Sequence, residues 1–272
     1  MALLPIPKNS PDIGECIYCG SSKEPLRREH AVPYGLNGTW TLGRASCDRC
    51  ANITHRFERD VLKSLLPHIR AVLAFQTRRP QRRPQSLPLT IESGRVQREL
   101  QVPFDDYPLY LPTPLLPPPG IVAGAPLTAD LRMDLKFIHI AGPTFEVAAQ
   151  RYPDAAFVGA RLDFSPEEFA RTLAKIAFCA AVYALGGVAA LRSSPVRRAI
   201  LGEDRFIGYW VGSWKGDPVN EPKGLHAMQV RASGTDIHVI LRLFAQFGAP
   251  EYHVVLGPAD PEFARSSAWP WK

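Results

Sequence analysis

Four of the five cysteines in this chain fall into two identically spaced pairs, Cys16-Ile17-Tyr18-Cys19 and Cys47-Asp48-Arg49-Cys50, with 27 residues between them. Each pair is short enough to wrap one side of a single ion, and thiolates at this spacing suit a tetrahedral structural zinc. The spacing therefore predicts a Zn2+-stapled module in which metal binding and folding are one event. Two unrelated pairs of buried thiols are the alternative. The fifth, Cys179, lies on the apolar face of a predicted helix and reads as a small buried hydrophobe.

A chain of 272 residues, 46% of them hydrophobic, can bury one large core or two smaller ones without disulfides. No stretch approaches the roughly 20 uninterrupted apolar residues of a membrane helix, and Met1 to Ser10 lacks the basic-then-apolar layout of a signal peptide. The expectation is a cytoplasmic protein with no membrane partner. The formal charge is +6, and it is unevenly spread: residues 1–100 hold 16 Lys and Arg against 9 Asp and Glu, and residues 101–272 hold 16 against 17. A localised basic segment favours a polyanion, because neutralising phosphates releases counterions. Nucleic acid is the expected partner, with Arg27, Arg28 and Arg44 around the cysteine motif and Arg78, Arg79, Arg82 and Arg83 in a proline-broken run as candidate contacts. From charge alone, a solvated basic surface explains the same residues.

The sequence divides into three stretches, and its overall class is α+β. Residues 12–66 carry the unusual chemistry and end in a predicted helix from Asp48 to Leu66, where Phe57, Val61, Leu62 and Leu65 recur near helical spacing and Pro67 stops or kinks the chain. Residues 67–130 read as a connector: a helical piece from His68 to Phe75, the basic run, a hairpin of Leu87–Ile91 and Arg95–Val102 around Ser93-Gly94, and an extended Pro- and Leu-rich segment over 103–126. Residues 131–272 form a mixed α+β unit of unassigned function. It opens with a strand at Leu135–Ile140. A helix follows, capped by Ser165, with Pro166 in its first turn and Glu168 completing a capping box, and Gly186-Gly187 end it near Leu185. A shorter helix begins at Ser194-Pro195, and strands are predicted at Arg205–Trp214, His226–Ala232, Asp236–Leu243 and Tyr252–Leu256. His139, His226, His238 and His253 read as structural histidines on strands, and Trp210, Trp214, Trp269 and Trp271 as core or a partner surface.

Between the cysteine pairs stands Glu29-His30, with Pro33 three residues after the His and a Gly-bearing loop at 35–38, and the second pair leads into a helix carrying Asn52 and His55. On these residues the segment from 16 to about 60 resembles the HNH endonuclease family, whose finger is a β-hairpin followed by a helix. The resemblance implies a ββα-metal finger with structural zinc on Cys16, Cys19, Cys47 and Cys50. It implies His30 as the general base that activates water, and Glu29 as a ligand of a catalytic Mg2+ or Mn2+. Imidazole titrates near neutral pH, and a hard cation neutralises a phosphate better than a side chain does. The family's last ligand falls on Ala51 here, so His55, one helical turn further on, or Asn52 is expected to complete that site. Thr41 and Leu42 occupy the region of the family's middle Asn, which orients the base. The implied activity is metal-dependent cleavage of nucleic acid, DNA ahead of RNA. The alternative is a degenerate finger, a non-catalytic zinc module that binds nucleic acid or protein, and the departures at Thr41/Leu42 and Ala51 point that way.

Overall fold

The computed structural model describes residues 12–23, 25–153, 157–159, 162–214 and 224–265. The opening segment to residue 11, Trp269 and Trp271 lie outside them. In chain order the elements are β1 (Leu26–His30), β2 (Thr41–Cys47), α1 (Asp48–Ser64), α2 (Pro67–Val72), β3 (Ser86–Ser93), β4 (Val96–Pro103), β5 (Leu109–Leu115), α3 (Gly120–Ala123), β6 (Asp134–Ala141), α4 (Phe145–Gln150), β7 (Phe157–Gly159), α5 (Pro166–Ala184), α6 (Val196–Leu201), α7 (Ile207–Trp210), β8 (Val211–Ser213), β9 (His226–Ser233), β10 (Asp236–Leu243), β11 (Tyr252–Pro258) and α8 (Pro261–Arg265). The result is a mixed α+β protein with several small antiparallel sheets. No helix among the described residues is long and apolar enough to cross a membrane.

β1 and β2 pair antiparallel and run straight into α1, with an irregularity in register between Arg27 and Glu29. Arg27 and Arg28 are consequently both exposed while Glu29 turns inward, breaking the two-residue alternation of a regular strand. The loop joining the strands closes tightly at Gly38, where a Cβ would lie 2.1 Å from the Val32 carbonyl oxygen, so any side chain there forces the loop open. α1 buries Cys50, Thr54, Phe57 and Val61, one stripe of the helix. The Phe57 ring carries the Arg171 guanidinium 4.7 Å from its centre.

α5 organises the rest. Ser165 caps it by accepting a hydrogen bond from the Glu168 N–H, Pro166 occupies its first turn, and nearly every residue from Phe169 to Val182 is buried. A helix apolar on all sides needs partners on all sides. α1 covers one flank and the sheet β8-β11-β10-β9 the other. One continuous hydrophobic cluster runs from Cys16 through α5 to Ala259.

Two segments differ from the sequence reading. The proline-rich stretch 103–126 contains β5, which pairs with β6. Pro112 and Pro114 stand two apart, so the sites that lack an N–H both face away from the partner strand, and the Pro114 carbonyl on that side accepts from Tyr252 Oη at 2.8 Å. Within 205–214 only Val211–Ser213 is a strand. The Asp204 carboxylate accepts from the Phe206 N–H at 2.9 Å and starts the turn of α7, against the β-preference of its aromatic residues.

His226 links β9 to the loop between β1 and β2. Its Nε2–H donates to the Leu36 carbonyl at 2.8 Å and its Nδ1 accepts from the Phe244 N–H at 3.3 Å. Both bonds require the neutral Nε2–H tautomer, and burial pushes the group from 6.5 down to about 4. The unfolded chain binds this proton near pH 6.5 and the folded chain does not, so the stability is fully present above 6.5 and is lost as pH falls toward 4. We expect up to about 3 kcal/mol to disappear over that window, and His226→Gln should flatten this part of the stability-against-pH curve in urea titrations. An equally steep curve in the variant would assign the acid sensitivity elsewhere.

Candidate metal centre

The first cysteine pair lies in a turn held by hydrogen bonds from Gly20 N to the Cys16 carbonyl and from Cys16 N to the Ser21 carbonyl, both 2.8 Å. The second pair begins on the last residue of β2 and ends in the first turn of α1. Hairpin and helix thus bring the four sulfurs together: their Sγ atoms all lie within 4.8 Å of one another, and none forms a disulfide. Cys19 Sγ and Cys47 Sγ are 3.7 Å apart. Zinc–sulfur bonds of about 2.3 Å in tetrahedral geometry separate neighbouring sulfurs by about 3.8 Å. The electrostatics agree. A hydrogen bond from Cys50 draws the Cys16 thiol down to about 4, whereas burial pushes Cys47 up to about 11. Four crowded thiols cannot all ionise unaided, and a soft divalent cation relieves that conflict. The donor set fits Zn2+.

Glu29 lies on the inward side of the β1 irregularity and meets Lys175 of α5. Lys175 is 0% exposed, and its Nζ lies 2.8 Å from Glu29 Oε1 and 2.7 Å from Glu58 Oε1 of α1. The contact with Glu58 is an ion pair. The ammonium also donates to the main-chain carbonyls of His30 and Ala31. Burial opposes the charge on Lys175, but Glu29 and Glu58 outweigh it and hold the ammonium well above its ordinary pKa. Glu58 is raised, by burial first and by its neighbour Glu29, against the pull of Lys175.

His30 ends β1 partly exposed and makes an edge-to-face contact with Tyr34, ring centres 5.8 Å apart. Its Nδ1 is buried and has no hydrogen-bond partner among the described residues. Burial lowers its pKa below 6.5, the Lys175 and Arg78 cations add to this, and Glu29 and the Gly38 backbone pull the other way. The imidazole is therefore neutral at pH 7.

Asn52 and His55 are exposed on α1. Among the described residues, the four cysteines form the one group in which three or more His, Cys, Asp or Glu ligand atoms converge. Glu29, His30 and His55 are not gathered in that way, and the Glu29 carboxylate is already paired with Lys175. The residues present thus do not assemble a donor set for the catalytic Mg2+ or Mn2+ that the resemblance implies. Arg27 pairs with Asp48 across the base of the hairpin. Arg28, Arg44, Arg78, Arg79 and Arg82 are exposed, and Arg83 donates to the Phe75 carbonyl at 2.6 Å. Lys175 and Glu58 escaped the sequence reading. The one signal for Lys175 was a lone cation in an otherwise apolar stretch of α5.

No protein-family model, curated protein or solved structure matches the chain. Fold and site define an α+β protein with a four-cysteine centre suited to zinc.

Proposed function

We propose that the protein is a zinc-stapled, HNH-type endonuclease that hydrolyses phosphodiester bonds in nucleic acid, DNA ahead of RNA, with His30 as general base. The observation that carries this reading is the neutral, partly exposed imidazole at the end of β1, whose hairpin and following helix bring Cys47 and Cys50 to the turn that holds Cys16 and Cys19. A neutral imidazole can take a proton from water as its oxygen attacks phosphorus, while the P–O bond to the departing sugar oxygen breaks and that oxygen takes a proton from solvent. The arginines around the finger, Arg78 nearest in electrostatic effect, offset charge that builds on the phosphate oxygens.

Two expected results test it. His30→Ala should lower cleavage of plasmid or oligonucleotide, assayed with and without Mg2+ or Mn2+, by about a hundredfold to ten-thousandfold, with zinc content and melting temperature unchanged. Wild-type cleavage should be lost in acid and rise with pH through a pKa below the ordinary histidine value of 6.5, since the deprotonated ring is the active form. Undiminished cleavage by the variant, or an acid limb centred above 6.5, would remove His30 from the role.

The hold of Lys175 on Glu29 favours a second reading, a non-catalytic zinc module that binds nucleic acid. Zinc-loaded wild-type protein that binds DNA and RNA oligonucleotides but cuts neither would select it.

A further inference from the structure

A second concave site lies between the end of α1, α2 and the segment 77–84, with a volume of about 410 Å3. Five cations line it, Lys63, Arg70, Arg79, Arg82 and Arg83, and no carboxylate does. Among the described residues none of the five makes an ion pair. Two have their heads fixed by main-chain carbonyls: Arg70 donates to Gly35 at 2.9 Å and to Leu62 at 3.3 Å, and Arg83 to Phe75. Lys63, Arg79 and Arg82 are exposed. Concave walls focus the field of such a set, and its natural complement is an anion.

Apart from the cations and Thr77 the lining is apolar, formed by Pro67, Ala71, Phe75 and Pro84, with Phe75 stacked on Phe244, ring centres 6.0 Å apart. A bare phosphate needs no apolar floor. A nucleotide has both an anionic end and a flat apolar face, and a pocket of this size falls in the range of roughly 300–1,000 Å3 that accommodates small organic ligands. In a duplex the base faces are covered by stacking, whereas in a single strand they are free to lie on a protein surface. Arg70 ties the pocket wall to Gly35, five residues after His30 in the turn that follows β1. Arg78, adjacent to Arg79, acts electrostatically on the His30 ring.

We propose that this pocket receives one unpaired nucleotide of a single-stranded nucleic acid, with its phosphates on the cationic rim and its base on the apolar floor. This rests on the nuclease reading only in the role it gives the pocket, which is to fix a strand beside His30. The binding itself stands without cleavage.

The test uses full-length protein and a fluorescein-labelled hexathymidylate in fluorescence anisotropy. An abasic hexamer, a hairpin duplex and poly-glutamate serve as unlabelled competitors. Hexathymidylate should compete at least about tenfold better than the abasic strand, the duplex or poly-glutamate. Arg79→Glu with Arg82→Glu, two exposed positions whose change spares the core, should weaken binding by more than about tenfold and lower the salt slope by about 1.4. Unchanged binding by the double variant, equal competition by the abasic strand or the duplex, or stronger competition by poly-glutamate would each overturn the proposal. The two readings fail separately. Loss of binding in the double variant, with no cleavage by any form, removes the nuclease and keeps the pocket. Cleavage that depends on His30, with binding indifferent to the double variant, does the reverse.

Discussion

Cys50→Ser is expected to abolish zinc binding and to leave the chain with no cooperative thermal transition. Metal–fold coupling in zinc-finger peptides amounts to about 10–16 kcal/mol, as large as the whole stability of an ordinary domain, about 5–15 kcal/mol. The loss would not stay in the cysteine-bearing segment. Ile17 and Tyr18, between the first pair of ligands, are 0% and 2% exposed and belong to the same hydrophobic cluster as α5. Tyr18 Oη lies 3.7 Å from Cys179 Sγ on α5, and the Tyr18 carbonyl accepts from Arg197 Nε of α6 at 2.8 Å. Releasing one ligand frees the turn that packs against both helices. Wild-type protein, denatured and titrated with a chromogenic chelator, should yield about one zinc per chain. In the native protein, a strong chelator should lower the melting temperature in proportion to the logarithm of its excess, and added zinc should restore it. A wild-type melt indifferent to chelator, or a serine variant that melts at the wild-type temperature, would show that the sulfurs carry no structural metal.

What could be read from the sequence divides along the range of the forces involved. The cysteine pairs announce a convergence because the ligand set is local on each side and the metal supplies the long-range part. The start of α5 was legible to the residue, because Ser165, Pro166 and Glu168 act within one turn of each other. β5 was not. Its prolines argue against a strand until the neighbouring strand shows that both missing N–H groups face outward. Ile207–Trp210 misled in the opposite sense, since its β-preferring residues yield to a turn begun by Asp204. At the candidate site, Glu29 illustrates the limit. The family resemblance makes it a metal ligand, but the register irregularity in β1 buries it against Lys175, 146 residues away in the sequence. A residue's type and neighbours give its chemistry, whereas its partner depends on which helix the fold brings over it.

Lys175→Met, which keeps most of the side-chain volume and removes the charge, is expected to destabilise the protein by about 3–5 kcal/mol. The variant leaves Glu29, 6% exposed, and the largely buried Glu58 side by side with no cation between them. Burial and repulsion from Glu29, no longer opposed by Lys175, then raise the Glu58 carboxyl further above its unfolded value. Such groups fold readily when protonated and resist folding when charged. The gap between variant and wild type should therefore be small in acid and widen as pH rises through the neutral range, a signature that lost packing alone would not produce. Removing all three polar groups, with Glu29→Leu and Glu58→Leu added to Lys175→Met, should recover most of the loss, because buried ion clusters seldom outperform well-packed apolar side chains. Urea titrations of the three proteins between pH 5 and 8 decide it. A single variant as stable as wild type, or one whose deficit does not change with pH, would mean that the cluster is not charged as inferred. Because the Lys175 ammonium also binds the His30 main-chain carbonyl, the triple variant separates stability from positioning. On the nuclease reading proposed above, folding that returns without cleavage would mean that α5 positions β1 for His30 as well as for the fold.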